Sequence, residues 1–406
     1  MKMKMKMKTK MKNDMIPLFK VFMSEESAIE TSKILMSGYI GQGPQVEKFE
    51  ELLKNYFTND NVVTVNSATS AEHLILHMLK RPEEHTLDYH GVCFVDQRWQ
   101  GINPGDEILT TPLTCTATNW PILANGLNIK WVDVDPNTCN MDLDDLERKI
   151  SSKTKAIMIV HWGGYPVDLN RISEIQLKTQ KLYGFKPVVI EDCAHAFGST
   201  YNGKRIGSHG NICTFSFQAI KHLTTGDGGC IVFPHKEQVR RAKLLRWYGI
   251  DRDDNRKDFR CESNILEFGF KMHMNDINAT IGIENFPFVI NENLKKTIDN
   301  ANFYNMELSS VPGLTLLENK SDRQSTYWIY TIKVERQIDF MNKMKECNIM
   351  VSRVHERNDI HSCVSKYQCH LPNLDKLVTE MICIPVGWWI TPEDRQYIVD
   401  CITSGW

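Results

Sequence analysis

Along the chain, helical and extended patterns of apolar and polar positions succeed one another. After Met15–Phe22 a helical pattern runs from Ser24 to Ser37, followed by the turn G-Y-I-G-Q-G-P (38–44) and a second helix over Val46–Phe57. Asn61–Val65 is a short β-branched run, the mark of a strand. Asn66-Ser67-Ala68-Thr69 ends it with residues that cap a helix running to Leu79. Beyond residue 104 the alternation is regular. Strands are predicted over Glu107–Thr111, Ile129–Val134, Ala156–His161, Pro187–Glu191, Ile212–Phe217 and Gly229–Phe233. Helices are predicted over Ala117–Ala124, Leu143–Ile150, Leu169–Tyr183 and Glu237–Trp247. Strand, helix, strand at this spacing predicts an α/β fold: a mainly parallel sheet with helices on both faces. From Asn275 the character changes. A long helix, Asn275–Asn300, bridges to a smaller α+β unit with strands at Tyr327–Val334 and Met381–Pro385.

The expected organisation is a low-complexity, disordered tail over residues 1–14, a large α/β domain over 15–274, and a linking helix with a small α+β domain over 275–406. Residues 81–104 read as a loop insertion within the large domain. The length of 406 residues suits two domains, and 42% hydrophobic residues can fill a sizeable core. A formal net charge of −2 gives no reason to expect nucleic acid or an anionic membrane as partner. No run of about 18 apolar residues is present. The M-K-M-K start has no apolar core of a signal peptide, so a cytoplasmic location is expected. The 12 cysteines then read as reduced thiols. Cys363 and Cys369-His370 come nearest to a metal pattern but lack a second ligand pair, so no metal site is expected.

Open sheets of this kind bind ligands at the carboxyl ends of their strands. Three polar clusters fall there: N-S-A-T (66–69), E-D-C-A-H-A-F-G (191–198) and S-F-Q-A-I-K (216–221). Together they match the needs of pyridoxal phosphate. Lys221 offers an amine to the cofactor's aldehyde. Asp192 offers a carboxylate to keep the pyridine nitrogen protonated. Ala68 and Thr69 at a helix start, with Ser216, offer amides and hydroxyls to the phosphate. His195 stands three residues past Asp192, within reach of the ring oxygen. Each element alone is weak: a lysine beside glycines is commonly a turn residue, and an aspartate ending a strand is commonly a cap. Their order along one sheet is what points to a cofactor.

The stretch V-V-I-E-D-C-A-H-A-F-G-S-T-Y-N-G-K-R-I-G-S-H-G-N-I-C-T-F-S-F-Q-A-I-K-H-L-T-T-G-D-G-G (188–229) closely resembles the DegT/DnrJ/StrS family of sugar aminotransferases. G-Y-I-G-Q-G-P-Q-V-E-K-F-E (38–50), V-N-S-A-T-S-A (65–71), V-D-V-D-P-N-T (132–138) and V-H-W-G-G-Y-P (160–166) look like further blocks of that family. The resemblance implies a fold of the aspartate aminotransferase type, with a seven-stranded sheet in the large domain. It also implies a homodimer whose sites are completed by the partner subunit. It makes Lys221 the lysine that bonds the cofactor and moves the proton, and makes Asp192 the pyridine partner. His195 then takes the ring oxygen, and Ala68, Thr69 and Ser216 the phosphate. Pyridoxamine phosphate is the implied form in the second half-reaction.

This chain departs from the family at two places. Cys115 in P-L-T-C-T-A-T (112–118) stands where the family stacks an aromatic on the cofactor ring, so Trp120 or a side chain of the insertion is expected to cover it. G-F-K-M-H-M-N-D (269–276) replaces G-Y-N-Y-R, with Lys271 expected to reach the partner's phosphate. The family also contains dehydratases with His at the lysine position; Lys221 argues against that branch. The E-D-C-A-H and A-I-K-H-L-T-T-G-D-G-G pairing looks like the branch that aminates C4. The expected reaction is transfer from L-glutamate to C4 of a nucleotide-linked 4-keto-6-deoxyhexose, of viosamine or perosamine type. A 3-ketosugar aminotransferase, a pyridoxal phosphate-dependent sugar dehydratase of the same family and a cofactor-binding regulator stay as alternatives. In V-S-R-V-H-E-R-N-D (351–359), Arg353, His355 and Arg357 are candidates to hold the nucleotide diphosphate. The G-W-W cluster (387–389) reads as core packing.

Overall fold

The computed structural model describes residues 14–80, 101–252, 258, 262 and 264–406. The expected tail, Asp14 apart, and residues 81–100 of the insertion lie outside the described residues. Helix α1 (Glu25–Ser37) is capped by the Ser24 side chain, and α2 (Pro44–Phe57) starts on Pro44. Strand β1 (Val62–Val65) leads directly into α3 (Ala68–Met78), capped by Ser67. Strand β2 (Glu107–Thr110), helix α4 (Thr116–Ala124), β3 (Asn128–Trp131) and β4 (Thr154–Val160) follow. Then come β5 (Val188–Asp192), the short pair β6 (Thr200–Tyr201) and β7 (Lys204–Arg205), β8 (Ile212–Ser216) and β9 (Gly229–Val232).

These strands build a seven-stranded sheet in the order β1-β9-β8-β5-β4-β2-β3. Within it β9 runs antiparallel to both neighbours, β1 and β8, while the other pairings are parallel. Successive residues of each strand serve opposite faces. Ala156 and Met158 of β4 and Ile190 of β5 enter the core beneath α3 and α4. Ile157, Ile159 and Val189 enter a second core with α2 on the other side. The same alternation sends Glu191 and Asp192, consecutive in the chain, to opposite faces.

The C-terminal part has its own core around a three-stranded sheet of β10 (Leu314–Leu316), β12 (Tyr330–Val334) and β13 (Met381–Ile384). The short strand β11 (Arg323–Gln324) pairs with β6. Two expectations change here. The long helix over Asn275–Asn300 is two helices, Asp276–Phe288 and Leu294–Glu307, joined by a π turn over Val289–Asn293. Pro287 lies inside the first, where it supplies no N–H and crowds the preceding turn. Strand β12 begins at Tyr330 rather than Tyr327, because Tyr327 takes φ 52°, in the left-handed region. No described helix is long and apolar enough to cross a membrane.

Candidate active site

The site forms where β1, β8 and β5 end. Gly229 of β9 pairs with Val65 on one side and Ser216 on the other. A Cβ at Gly229 would lie 2.7 Å from the amide nitrogen of Ala68 and 2.8 Å from the carbonyl carbon of Ser67. The missing side chain therefore lets the start of α3 come up against the end of β8. Ser67 Oγ accepts from the Ser70 amide at 3.1 Å. The amides of Ala68 and Thr69, in the first turn, have no partner within the helix, and Ser216 lies nearby at the end of β8. Amides and hydroxyls at a positive helix end can accept an anion.

Asp192 ends β5 and is 5% exposed. Thr118 Oγ1, on α4, donates to its Oδ2 at 2.7 Å, and the Ala194 amide donates to Oδ1 at 2.9 Å. Both oxygens thus accept from neutral donors, which orient the carboxylate without neutralising it.

Lys221 sits in the turn after β8, with its Nζ 3.6 Å from the centroid of the Trp328 ring. Burial depresses its pKa to about 8, and the charges of Asp192 and Cys115 pull the other way. An amine so placed is a usable nucleophile and base near neutral pH. His195 is buried and stacks on Trp328 at 3.9 Å and 20°. Burial, then the positive charge of Lys221, hold its pKa well below 6.5. The Gly163 amide donates to His195 Nδ1 at 3.3 Å, so the neutral ring carries its proton on Nε2 and can donate from there.

Of the three candidates for the diphosphate, His355 joins the cluster. It stacks 5.8 Å from His195, its Nε2 has no hydrogen-bond partner, and burial together with Lys221 lowers its pKa to about 4. The two arginines are turned to carboxylates of their own chain. Arg353 pairs with Glu356 at 2.7 Å. Arg357 holds Asp359 at 2.6 Å and also Asp375. Lys271 is exposed, and its carbonyl accepts from Asn66 Nδ2 at 3.3 Å, beside the α3 cap. Cys115 is the N-cap of α4, close enough to Lys221 for its charge to act there. Trp120 packs edge-on to His361 at 5.9 Å; the indole against Lys221 is that of Trp328, backed by Phe19 at 5.0 Å.

Sequence reasoning passed over Trp328, Thr118 and Glu72. The first two sit in ordinary-looking polar or aromatic runs. Glu72 left a signal: it is the lone acid in the helical run A-T-S-A-E-H-L-I-L-H-M. A buried group of His161, Glu191 and Cys193 has ligand atoms within 4.8 Å of one another. Its atoms are already engaged: His161 Nε2 meets Glu191 Oε2 at 2.8 Å, Asn211 Nδ2 donates to Oε1 at 2.7 Å, and the Val167 amide donates to His161 Nδ1.

A half-buried amine, an oriented carboxylate, a neutral histidine donor and a helix start, gathered at the strand ends of one sheet, fit a pyridoxal phosphate enzyme of fold type I. The residues fit that cofactor. The Nε2 atoms of His222 and His355, buried and without a hydrogen-bond partner, are further polar groups beside Lys221. Comparison with known proteins agrees. Residues 22–87 and 93–403 match the model of the DegT/DnrJ/EryC1/StrS aminotransferase family, and this chain belongs to that family. It is 47% identical to AtS13 from Actinomadura melliaura, whose crystal structure superposes with TM-score 0.89 over 97% of this chain and 100% of that one. The sugar aminotransferase CalS13 from Micromonospora echinospora is 43% identical, with TM-score 0.89 and the same coverage. A curated relative is the UDP-4-amino-4-deoxy-L-arabinose–oxoglutarate aminotransferase of Shewanella sediminis, 31% identical over 84% of this chain and 82% of its own length. The protein is a pyridoxal phosphate-dependent sugar aminotransferase.

Proposed function

We propose that the enzyme moves the amino group of L-glutamate to C4 of a nucleotide-linked 4-keto-6-deoxyhexose, giving a 4-amino-4,6-dideoxy sugar. The observation that carries the amino-transfer chemistry is the half-buried Lys221 amine against Trp328, within reach of the charge of Asp192. The choice of C4 is supported by the E-D-C-A-H and A-I-K-H-L-T-T-G-D-G-G blocks. It is also supported by the Shewanella relative, named for a 4-amino sugar. When bound, pyridoxal phosphate supplies an aldehyde that carries the amino group and a ring that accepts electrons.

The chain's own residues then divide the work. The Ala68 and Thr69 amides with Ser216 hold the phosphate. Asp192, steadied by Thr118 and Ala194, would hold the pyridine nitrogen and its proton. His195 would donate from Nε2 to the ring oxygen. Lys221, low in pKa through burial, gives and takes the proton at the reacting carbon. His355, with its free Nε2, stands ready for a sugar hydroxyl or the diphosphate. We assign the nucleotide no contact with Arg353 or Arg357, whose guanidiniums hold carboxylates of the chain.

The enzyme is further proposed to work as a homodimer, with Lys271 turned to the partner's phosphate. Tyr39, Met36 and Phe268 are 86%, 85% and 70% exposed, apolar side chains that a second copy would cover. The same reading keeps the large domain at 15–274 and the small one at 275–406.

The test is to incubate the purified protein with glutamate and a panel of 4-keto-6-deoxy sugars linked to UDP, dTDP or GDP. Glutamate is expected to bleach the visible band of the bound cofactor, and one ketosugar to restore it with an amine at C4 by NMR. An amine at C3, or loss of a hydroxyl without amine transfer, overturns the C4 reading. A band that glutamate leaves untouched overturns the donor.

A further inference from the structure

Helix α3 carries a carboxyl group where its surroundings are dry. Glu72 lies one turn beyond the Ala68 and Thr69 amides and is 1% exposed, between buried Ala71 and Leu74. Asp192 and Thr214 are direct partners across β5 and β8 and so share a face of the sheet. The Glu72 carboxyl faces both. Three elements confront it: β5 with Asp192, β8 with the Thr214 hydroxyl, and the start of α4 with Cys115. The neighbouring cation is Lys221, whose ammonium interacts with Asp192 and Cys115. Glu72 Oε2 has no hydrogen-bond partner.

Two carboxyl groups side by side in a dry site hold one proton between them. Both Asp192 oxygens already accept, from Thr118 and Ala194, so the proton sits on Glu72. Burial, and next the Asp192 charge, push the Glu72 carboxyl well above the usual range.

We propose that Glu72 is a positioning residue for the cofactor site: as a neutral acid it donates a hydrogen bond to Asp192 and holds that carboxylate, charged, toward the pyridine-nitrogen position. It takes no part in proton transfer at the reacting carbon. The inference rests on the cofactor site and is independent of which sugar the enzyme aminates.

The first arm of the test needs no cofactor. Unfolding equilibria of cofactor-free wild type and Glu72→Gln are measured from about pH 5 to about pH 8. An unfolded glutamate loses its proton above the ordinary value of 4.5, while the folded protein keeps it. With the folded pKa raised, the stabilisation is complete below 4.5 and is lost as pH rises toward the folded value. The wild type's unfolding constant should therefore grow relative to that of Glu72→Gln as pH rises from 4.5 toward the folded value, by up to about tenfold per pH unit. Parallel profiles overturn the neutral acid.

The second arm is cofactor dissociation. Glu72→Gln, whose amide still donates, should keep the dissociation constant within about threefold, while Glu72→Leu raises it about tenfold. Equal losses in both variants, or none in the leucine variant, overturn the positioning role. Glu72→Met serves the same comparison if the leucine variant does not fold.

Discussion

Glu191 and Asp192 are neighbours in the chain, end the same strand, and serve opposite sides of the sheet. Glu191 points into the core beneath α2, wholly buried, where His161 and Asn211 meet its two oxygens at 2.8 and 2.7 Å. Burial pushes its carboxyl up, but the hydrogen bond and charge of His161, with Asn211, win and hold it below the usual value. Asp192 points to the site, where a hydroxyl and a backbone amide orient it and leave its charge for a ligand. The difference teaches that burial alone does not mark a functional carboxylate. A carboxyl whose partners neutralise it holds the fold together. One whose partners only aim it is free to act on something else.

The sharpest way to break that contrast is at the amine which Asp192 faces. Lys221→Ala should cut amino transfer by about 10³-fold or more and abolish the visible band of bound cofactor, with the melting curve in place. A matched pair tests the strand directly. Asp192→Asn should lower turnover by on the order of 10²–10³-fold with denaturant stability nearly unchanged. Glu191→Gln should do the reverse, losing about 3 kcal/mol of stability or more, with turnover per folded molecule kept within a few-fold. The folded pKa of Glu191 is depressed, so its contribution is present above 4.5 and is lost as pH falls through the folded value. Urea melts at pH 7 and pH 4 read that sign.

A smaller effect comes from the donor that aims Asp192. Thr118→Val leaves Oδ2 without its 2.7 Å hydroxyl and should weaken cofactor binding by about 1–3 kcal/mol. The smallest is His195→Gln. His195 is already neutral across physiological pH, so this variant should change turnover by only a few-fold and leave the rate profile below pH 7 unaltered in shape.

Much of this was legible in the chain. Leu169–Tyr183 is helical over the predicted span, and each predicted strand of the large sheet is found within a few residues. That success has one physical source: buried strands and amphipathic helices write their period into the sequence. Lys221, Asp192, His195 and Ser216 stood out as candidates because Asp192 and Ser216 end strands and the other two follow within five residues of a strand end. Trp328 was not, because its place against Lys221 depends on how the C-terminal part folds back, which no local pattern records. The partners of Arg353 and Arg357 were not readable for a related reason: a positive residue in a loop advertises charge, but only the fold shows that Glu356, Asp359 and Asp375 stand beside it.

Gly229 gives the site a vulnerability of an unusual kind. It bears no functional group and touches no reactant, yet an added methyl group would strike the backbone at Ser67, Ala68 and Phe215. In a saturation library it should behave like an active-site position, rejecting even alanine, because every substitution there levers the start of α3 away from the strand that leads to Lys221. The aperture of this catalytic centre is thus set by an atom that is missing, and directed evolution toward larger sugars would do best to leave that hinge untouched and vary the walls around His355.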